Sequence, residues 1–180
     1  MEKFLEFVST RRSVRKYTDQ DVPDETLQAV FEAVRWSPSW ANTQCWELVV
    51  IRDPETRQKL QGTIAPKNPA TKAITAAPAL IALCGRLNSS GFYNESVTTK
   101  LGDWFMYDLG IATQTLCLAA HAAGLGTVVV GLFDHDRAGR IINVPAGVEL
   151  VTLIPIGFPA KAGSAPKRRE IGDFVRNGSF

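Results

Sequence analysis

The stretch of residues 103–123 constrains the fold of this 180-residue chain more than any other feature. It predicts one long, alanine-rich helix that is apolar almost all round. A helix of that kind has to be buried on most sides by other elements. Gly124 ends the predicted helix, and Gly126 permits a tight turn into a strand at 127–130.

The rest of the chain predicts strands and helices that can cover this helix. The apolar run 79–84 (ALIALC) is typical of a strand buried on both faces. Apolar residues at i, i+3, i+4 and i+7 predict a helix that begins near Pro23, and Pro38 ends it. The fold class is therefore α+β. The sequence predicts further strands at 46–51 and 148–156 and further helices at 2–10, 53–61 and 134–142. It also predicts a loop at 62–71 and a polar, aromatic and mobile excursion at 86–99.

The C-terminal tail does not fit this packing scheme. After Pro159 the chain is polar and irregular, and residues 160–180 contain too few apolar side chains to pack by themselves. We expect the tail to lie along another surface, such as that of a partner subunit. The rest of the chain suits one compact domain, which we place at 1–180 together with the tail.

Charge and composition exclude several classes of protein. The net charge of +2 is too balanced for a dedicated nucleic-acid-binding domain, and the basic residues cluster locally at 11–16 and 167–169. Such clusters suit a small anion better than a polynucleotide. No apolar stretch is long enough for a membrane span, and the first ten residues do not have the pattern of a signal peptide.

The few cysteines and histidines limit the possible chemistry. The three cysteines are far apart and form no CxxC pair, which favours a reducing cytoplasm over a disulfide or zinc scaffold. Cys45 is expected to be a buried, inert thiol. Two histidines leave little material for a metal site, and the Asp134-His135-Asp136 run is better explained by a helix cap at Asp134. We predict no metal.

Two segments carry polar side chains that permit both an ordinary and a functional interpretation. The basic segment Arg11-Arg12-Ser13-x-Arg15 is either a solvated turn or a phosphate clamp, because guanidinium groups and a hydroxyl match phosphate oxygens. The tail run 167–169 has the same two interpretations. Residues 37–44 (SPSWANTQ) form either a simple turn or a polar rim for a heteroaromatic ligand. Gly124-x-Gly126 is not a dinucleotide fingerprint, since it follows a helix instead of a strand.

Taken in order, these segments strongly resemble the nitroreductase family of FMN-dependent oxidoreductases. The resemblance rests on RRSVRKY and VPDETLQAVFEAVRWSPSWANTQCW, and then on AAPALIALC, DLGIATQTLCLAAHAAGLGT, GVELVTLIPIGFP and PKRRE. It spans nearly the whole chain, and its first two segments are the most specific.

The resemblance implies an α+β homodimer with a central, mainly antiparallel sheet flanked by helices. In this family the C-terminal arm, here 160–180, crosses to the partner, and FMN lies at the interface between the subunits. The same resemblance implies four groups of FMN-binding residues. The phosphate, ribityl chain and pyrimidine edge are bound by Arg11, Arg12, Ser13 and Arg15, and the other subunit contributes Pro38, Ser39, Trp40 and Asn42. The flavin ring lies against Gly131 and Leu132, and the phosphate is also contacted by Lys167 and Arg169.

The implied activity is that of an FMN-dependent NAD(P)H oxidoreductase with a ping-pong mechanism. NAD(P)H reduces the flavin and leaves, and a nitroaromatic, quinone or related small acceptor then takes its place. The flavin carries the chemistry, so no catalytic side chain is expected. The acceptor pocket is expected to include Trp40, Phe92, Tyr93 and Trp104.

The same sequence pattern permits other functions. Dehalogenation, enone reduction and oxygen-dependent breakdown of the flavin would keep FMN and change the reaction, and a non-catalytic flavin-binding module would lack turnover. The chain also departs from many family members, which have a small residue in place of Trp40 and a proline in place of Cys45. An indole at position 40 would narrow the space over the flavin.

Overall fold

A computed structural model describes residues 1–161 and 163–180. Its central sheet has four strands in the order β1-β2-β6-β5, and every neighbouring pair is antiparallel. The helices are α1 (Glu2–Thr10), α2 (Asp24–Arg35), α3 (Pro54–Gln61), α4 (Thr71–Ala76), α5 (Phe105–Ala122) and α6 (His135–Ile141), and the strands are β1 (Trp46–Ile51), β2 (Ala79–Arg86), β3 (Phe92–Tyr93), β4 (Ser96–Val97), β5 (Gly126–Thr127) and β6 (Val148–Gly157).

The central strand β2 separates two apolar layers. Its first six residues are all buried, as predicted for the run ALIALC. Because successive side chains point to opposite faces, alternate residues of β2 join different clusters. Ile81 and Leu83 pack with α2 and α5 on one face, and Leu80 and Ala82 pack with α3, α4 and α6 on the other.

Helix α5 is buried on one side only, so the prediction of burial on most sides is wrong for the single chain. Leu109 and Leu116 lie on the buried side. Met106 is 56% exposed and Tyr107 is 62% exposed on the other side. The sequence correctly indicated an apolar surface around the helix, but no element among residues 1–161 and 163–180 covers the outer face.

The loop between α5 and β5 has the geometry that the glycines indicated. Gly124 ends the helix in the left-handed region (φ 75°), and the N–H of Leu125 donates to the carbonyl of Ala120 at 2.8 Å. β5 is shorter than the predicted strand 127–130. Only Val130 continues the pairing, in a single bridge to Leu153, and Val128 and Val129 line a cavity instead.

Two further elements differ from the sequence predictions. Helix α4 was not predicted, because its apolar content is confined to small residues and one isoleucine; Ala73 and Ile74 are nevertheless fully buried. The excursion 86–99 contains the two-stranded hairpin of β3 and β4.

The side chain of Asp134 accepts from the N–H of Arg137 at 2.9 Å, which confirms the predicted cap of α6.

The tail makes few contacts with the rest of the chain. Its described residues from 163 onward are exposed, including the apolar side chains of Ile171, Phe174 and Val175. A short 3-10 turn covers Ile171–Asp173. No helix among the residues described is long and apolar enough to cross a membrane.

We predict that Gly126→Ala destabilises the protein by about 1–3 kcal/mol, because a Cβ there would lie 2.5 Å from Cγ2 of Val14 in a packed region. Gly139→Ala in α6 is the matched control. Its Cβ would meet only Val144 at 3.8 Å, and alanine raises helix propensity by up to about 1 kcal/mol. Urea unfolding midpoints measure both effects. Equal stability of the two variants would contradict the close packing at Gly126.

Candidate functional site

The basic segment is held in place by its central valine. Val14 is buried against Gly126, and its N–H donates to the carbonyl of Thr127 at 2.9 Å. Ser13 forms a parallel bridge with Thr127. In an extended segment, neighbours of an inward-facing residue face outward. The flanking residues Ser13 and Arg15 therefore line a cavity beside β5.

This cavity has a volume of about 380 Å³. Its walls come from the basic segment, the outer face of α5 and the region between β5 and β6. The lining residues are Arg11, Ser13, Arg15, Met106, Leu109, Gly110, Thr113, Gln114, Cys117, Thr127, Val128, Val129, Val151 and Thr152. The cavity thus lies against the same face of α5 that the single chain leaves uncovered.

A second cavity of about 390 Å³ adjoins the first. Arg11, Cys117 and Thr127 line both, so the two form one cleft with Arg11 between them. Its other cationic lining residues are Arg12 and Lys161. His121, which stacks on Phe7 with ring centroids 5.0 Å apart, also lines it.

The arginines of the basic segment have no carboxylate partners in the described part of the chain. None of the ion pairs there involves Arg11, Arg12 or Arg15. Arg12 donates to the carbonyls of Ser9 and Arg11, and its Nε is buried without a hydrogen-bond partner. A cleft with unpaired guanidinium groups at its centre is suited to an anionic ligand.

The polar segment before β1 forms a tight turn. A 3-10 helix covers Trp40–Asn42, and the N–H of Gln44 donates to Oγ of Ser39 at 2.9 Å. The Trp40 side chain is half-buried, and its ring centroid lies 4.9 Å from that of Tyr93 in the excursion. Trp104 packs edge-on against Tyr107 at 5.2 Å, and Phe92 is half-buried in the hairpin.

Within one chain, only part of the predicted set lines the first cavity. Arg11, Ser13 and Arg15 do so, and Arg12 lines the second. The predicted residues that line neither cavity are Pro38, Ser39, Trp40, Asn42, Gly131, Leu132, Lys167 and Arg169 of the FMN set, and Phe92, Tyr93 and Trp104 of the acceptor set. The carbonyl oxygen of Gly131 lies 3.1 Å from Nε2 of His135, Leu132 is exposed, and Lys167 and Arg169 lie on the exposed tail. The Arg169 guanidinium contacts the Asp173 carbonyl and lies 5.8 Å from the Phe174 ring.

Asp108, a polar residue beside the turn that contains Trp40, is a residue that the sequence predictions missed. It is fully buried in the first turn of α5. The signal was present in the sequence, because Asp108 is the one charged residue within the apolar stretch that follows Trp104 and ends at Gly124.

The cysteines are buried, as predicted for Cys45. Burial, followed by the nearby carboxylate of Asp108, raises the pKa of Cys45 to about 12. Burial also raises the pKa of Cys84 to about 11 and raises that of Cys117. None of the three has the lowered pKa of a nucleophilic thiolate.

Comparison with known proteins agrees with the sequence pattern. Residues 8–158 match the nitroreductase family. A protein of Methanothermobacter thermautotrophicus, provisionally described as an NADH dehydrogenase/NAD(P)H nitroreductase, is 32% identical over 161 residues, which cover 87% of this chain and 78% of that protein. Human iodotyrosine deiodinase 1 is 25% identical over 199 residues, which cover 97% of this chain and 68% of the deiodinase.

A solved structure shows the same fold. The FMN-dependent nitroreductase of Clostridium difficile R20291 superposes with a TM-score of 0.80 at 22% identity, covering 97% of this chain and 98% of that one. The chain belongs to the nitroreductase family, and it has the α+β fold of that family with an antiparallel sheet flanked by helices.

We predict that none of the three thiols reacts with a disulfide reagent at pH 8 in the folded protein, because burial raises the pKa of each thiol above its ordinary value. The same reagent should modify all three after unfolding in guanidinium. As pH rises above the ordinary thiol pKa of 9.0, ionisation in the unfolded state should lower the free energy of unfolding. Rapid modification of a thiol in the folded protein would contradict this assignment.

Proposed function

We propose that this protein is an FMN-dependent NAD(P)H oxidoreductase that reduces small acceptors such as nitroaromatics and quinones. The observation that carries the proposal is the cleft around Arg11, where guanidinium groups without ion-pair partners lie beside the apolar side chains of Met106, Val128 and Val129. FMN has a matching division between a dianionic phosphate and a flat aromatic ring. The cytoplasm is the proposed location, consistent with three buried free thiols.

The residues of the cleft fit the two ends of FMN. Arg11, which lines both cavities, would bind the phosphate, and Lys167 and Arg169 of the tail would add further charge. Ser13 supplies a hydroxyl for the ribityl chain. Arg15 would lie near the pyrimidine edge, where a cation favours the negative charge of the reduced ring. Gly131 and Leu132 are proposed to lie against the ring through their backbone.

A second copy of the chain is proposed to complete the site. The outer face of α5 is exposed at Met106 and Tyr107, and the same face forms a wall of the cavity. Burying this face and the apolar tail residues between two copies would remove both from water. Pro38, Ser39, Trp40 and Asn42, which lie away from the cavity in their own chain, would then reach the cleft of the partner.

When bound, FMN would supply the redox chemistry by accepting a hydride from NAD(P)H and passing the electrons to the acceptor. The chain's own residues bind and orient the ring and shape the acceptor space. Trp40, Phe92, Tyr93 and Trp104 are the proposed lining of that space, and Trp40 and Tyr93 already contact each other. Parallel lines in double-reciprocal plots of NAD(P)H oxidation against acceptor concentration would support the ping-pong order.

Reductive dehalogenation is the second candidate reaction. It is favoured by the similarity to human iodotyrosine deiodinase 1 along 97% of this chain. It would use the same cleft and the same flavin, so only the products distinguish it. An acceptor panel should therefore include an iodinated phenol, with iodide release as the readout.

We predict that Arg11→Ala weakens FMN binding by roughly ten- to a hundredfold, which corresponds to the loss of a charge-assisted hydrogen bond to the phosphate. Riboflavin, which has no phosphate, should lose much less affinity. Arg35→Ala is the matched control, because Arg35 is an exposed arginine paired with Glu32 on α2. Titration of the apoprotein by flavin fluorescence measures the affinities. Equal losses for FMN and riboflavin would show that Arg11 acts through folding.

We predict that Trp40→Ala raises kcat/KM for bulky nitroaromatics and changes kcat/KM for small quinones little, because the indole restricts the acceptor space. Trp36→Ala removes an exposed indole from the end of α2 and serves as the control. If Trp40 instead had a purely structural role, its removal would cost about 3–5 kcal/mol of stability with an unchanged acceptor profile. Urea midpoints and acceptor kinetics on the same variants decide between the two.

A further inference from the structure

Asp108 is a buried carboxylate that accepts from three hydrogen-bond donors in two separate segments of the chain. Its side chain is 0% exposed. Oδ1 accepts from the backbone N–H of Trp40 at 3.0 Å. Oδ2 accepts from Oγ of Ser90 at 2.6 Å and from Sγ of Cys45 at 3.6 Å. One side chain thus connects α5, the turn before β1 and the excursion after β2.

The three hydrogen-bond donors are the contacts that compensate the charge of the Asp108 carboxylate. Within the described residues no cationic side chain pairs with it. A buried carboxylate without a cation has to be compensated by hydrogen bonds and, at this position, by the N-terminal end of a helix dipole. Each segment that donates to Asp108 is therefore held in place by the carboxylate.

The turn that donates to Asp108 has strained backbone geometry. Ala41, Asn42 and Gln44 all have positive φ, at 44°, 56° and 46°. Such conformations persist only where the surroundings hold them, and they concentrate at functional sites. Besides the Asp108 bond at Trp40, the turn is held by the guanidinium of Arg86, which donates to the carbonyls of Thr43 and Gln44.

The excursion is held at the same point. Ser90 is fully buried, and its carbonyl accepts from the N–H of Trp104 at 3.0 Å. The excursion then presents Tyr93 to the ring of Trp40. Asp108 consequently holds both segments whose aromatic side chains meet, which are the turn that contains Trp40 and the excursion that contains Tyr93.

We propose that Asp108 is a positioning residue that couples the Trp40 turn to the excursion and so sets which acceptors reach the flavin. This rests on the proposed function, since it assigns these two segments to the acceptor space. Asp108 itself does not touch the acceptor. It acts through the backbone of Trp40 and through Ser90.

Hydrogen exchange on Asp108→Ala tests the coupling without requiring activity. We expect exchange in peptides covering 38–44 and 87–104 to become about tenfold faster, as the loss of one charge-assisted hydrogen bond per segment predicts. Asp108→Asn keeps an oxygen that can accept from Trp40, and its amide nitrogen can donate to Oγ of Ser90 but cannot accept from it. Exchange should therefore stay slow at 38–44 and rise at 87–104 by less than in Asp108→Ala. Asp53→Asn, which weakens the cap of α3 at Thr56, is the control and should leave both segments unchanged.

The ratio of kcat/KM for two acceptors of different size distinguishes a positioning role of Asp108 from a purely structural one, which would leave this ratio unchanged. In Asp108→Ala and in the milder Ser90→Ala, the kcat/KM ratio of a bulky nitroaromatic to 1,4-benzoquinone should change by about tenfold, mainly through KM for the nitroaromatic. An unchanged ratio, or exchange that rises uniformly over the whole chain, would overturn the proposal. If Asp108→Ala does not fold, Ser90→Ala gives the same decision for the excursion. Failure to bind FMN would contradict the proposed function, whereas the exchange experiment would still decide the coupling.

Discussion

The contact between Val14 and Gly126 determines where the basic segment 11–15 lies. Only a residue without a side chain allows Val14 to approach so closely, and the adjacent hydrogen bond to Thr127 fixes the register. Because Val14 faces the core, Ser13 and Arg15 must face the cavity. The position of the cleft around Arg11 therefore follows from apolar packing, and the arginines need no carboxylate to orient them.

Most of the fold was predictable, because its elements have strong local signals. The continuous apolar run of β2 and the cap at Asp134 required no tertiary information. Helix α4 was missed because small residues at 71–76 carry little periodic signal, and its burial depends on the second apolar layer. The outer face of α5 was misjudged for a different reason: composition shows that a surface is apolar, but it does not show which chain covers it.

The candidate site also has features that the sequence predicted and features that only the structure shows. The basic segment was predictable because its residue types match phosphate chemistry, and the structure brings Arg11, Ser13 and Arg15 to one cavity. Asp108 was missed because a single carboxylate in an apolar helix has no motif, and its meaning depends on donors 68 and 18 residues away in sequence. The strain at Ala41 and Asn42 likewise becomes visible only when the backbone is known.

The central claim is that the cleft holds FMN and is completed by a second copy of the chain. Sedimentation velocity, recorded at both the protein and the flavin absorbance, tests both parts in one measurement. The account predicts that flavin absorbance sediments only with a dimer of the 19.7 kDa chain, at one FMN per chain. Flavin that sediments with a monomer, or a dimer that binds no FMN when FMN is supplied, would contradict it.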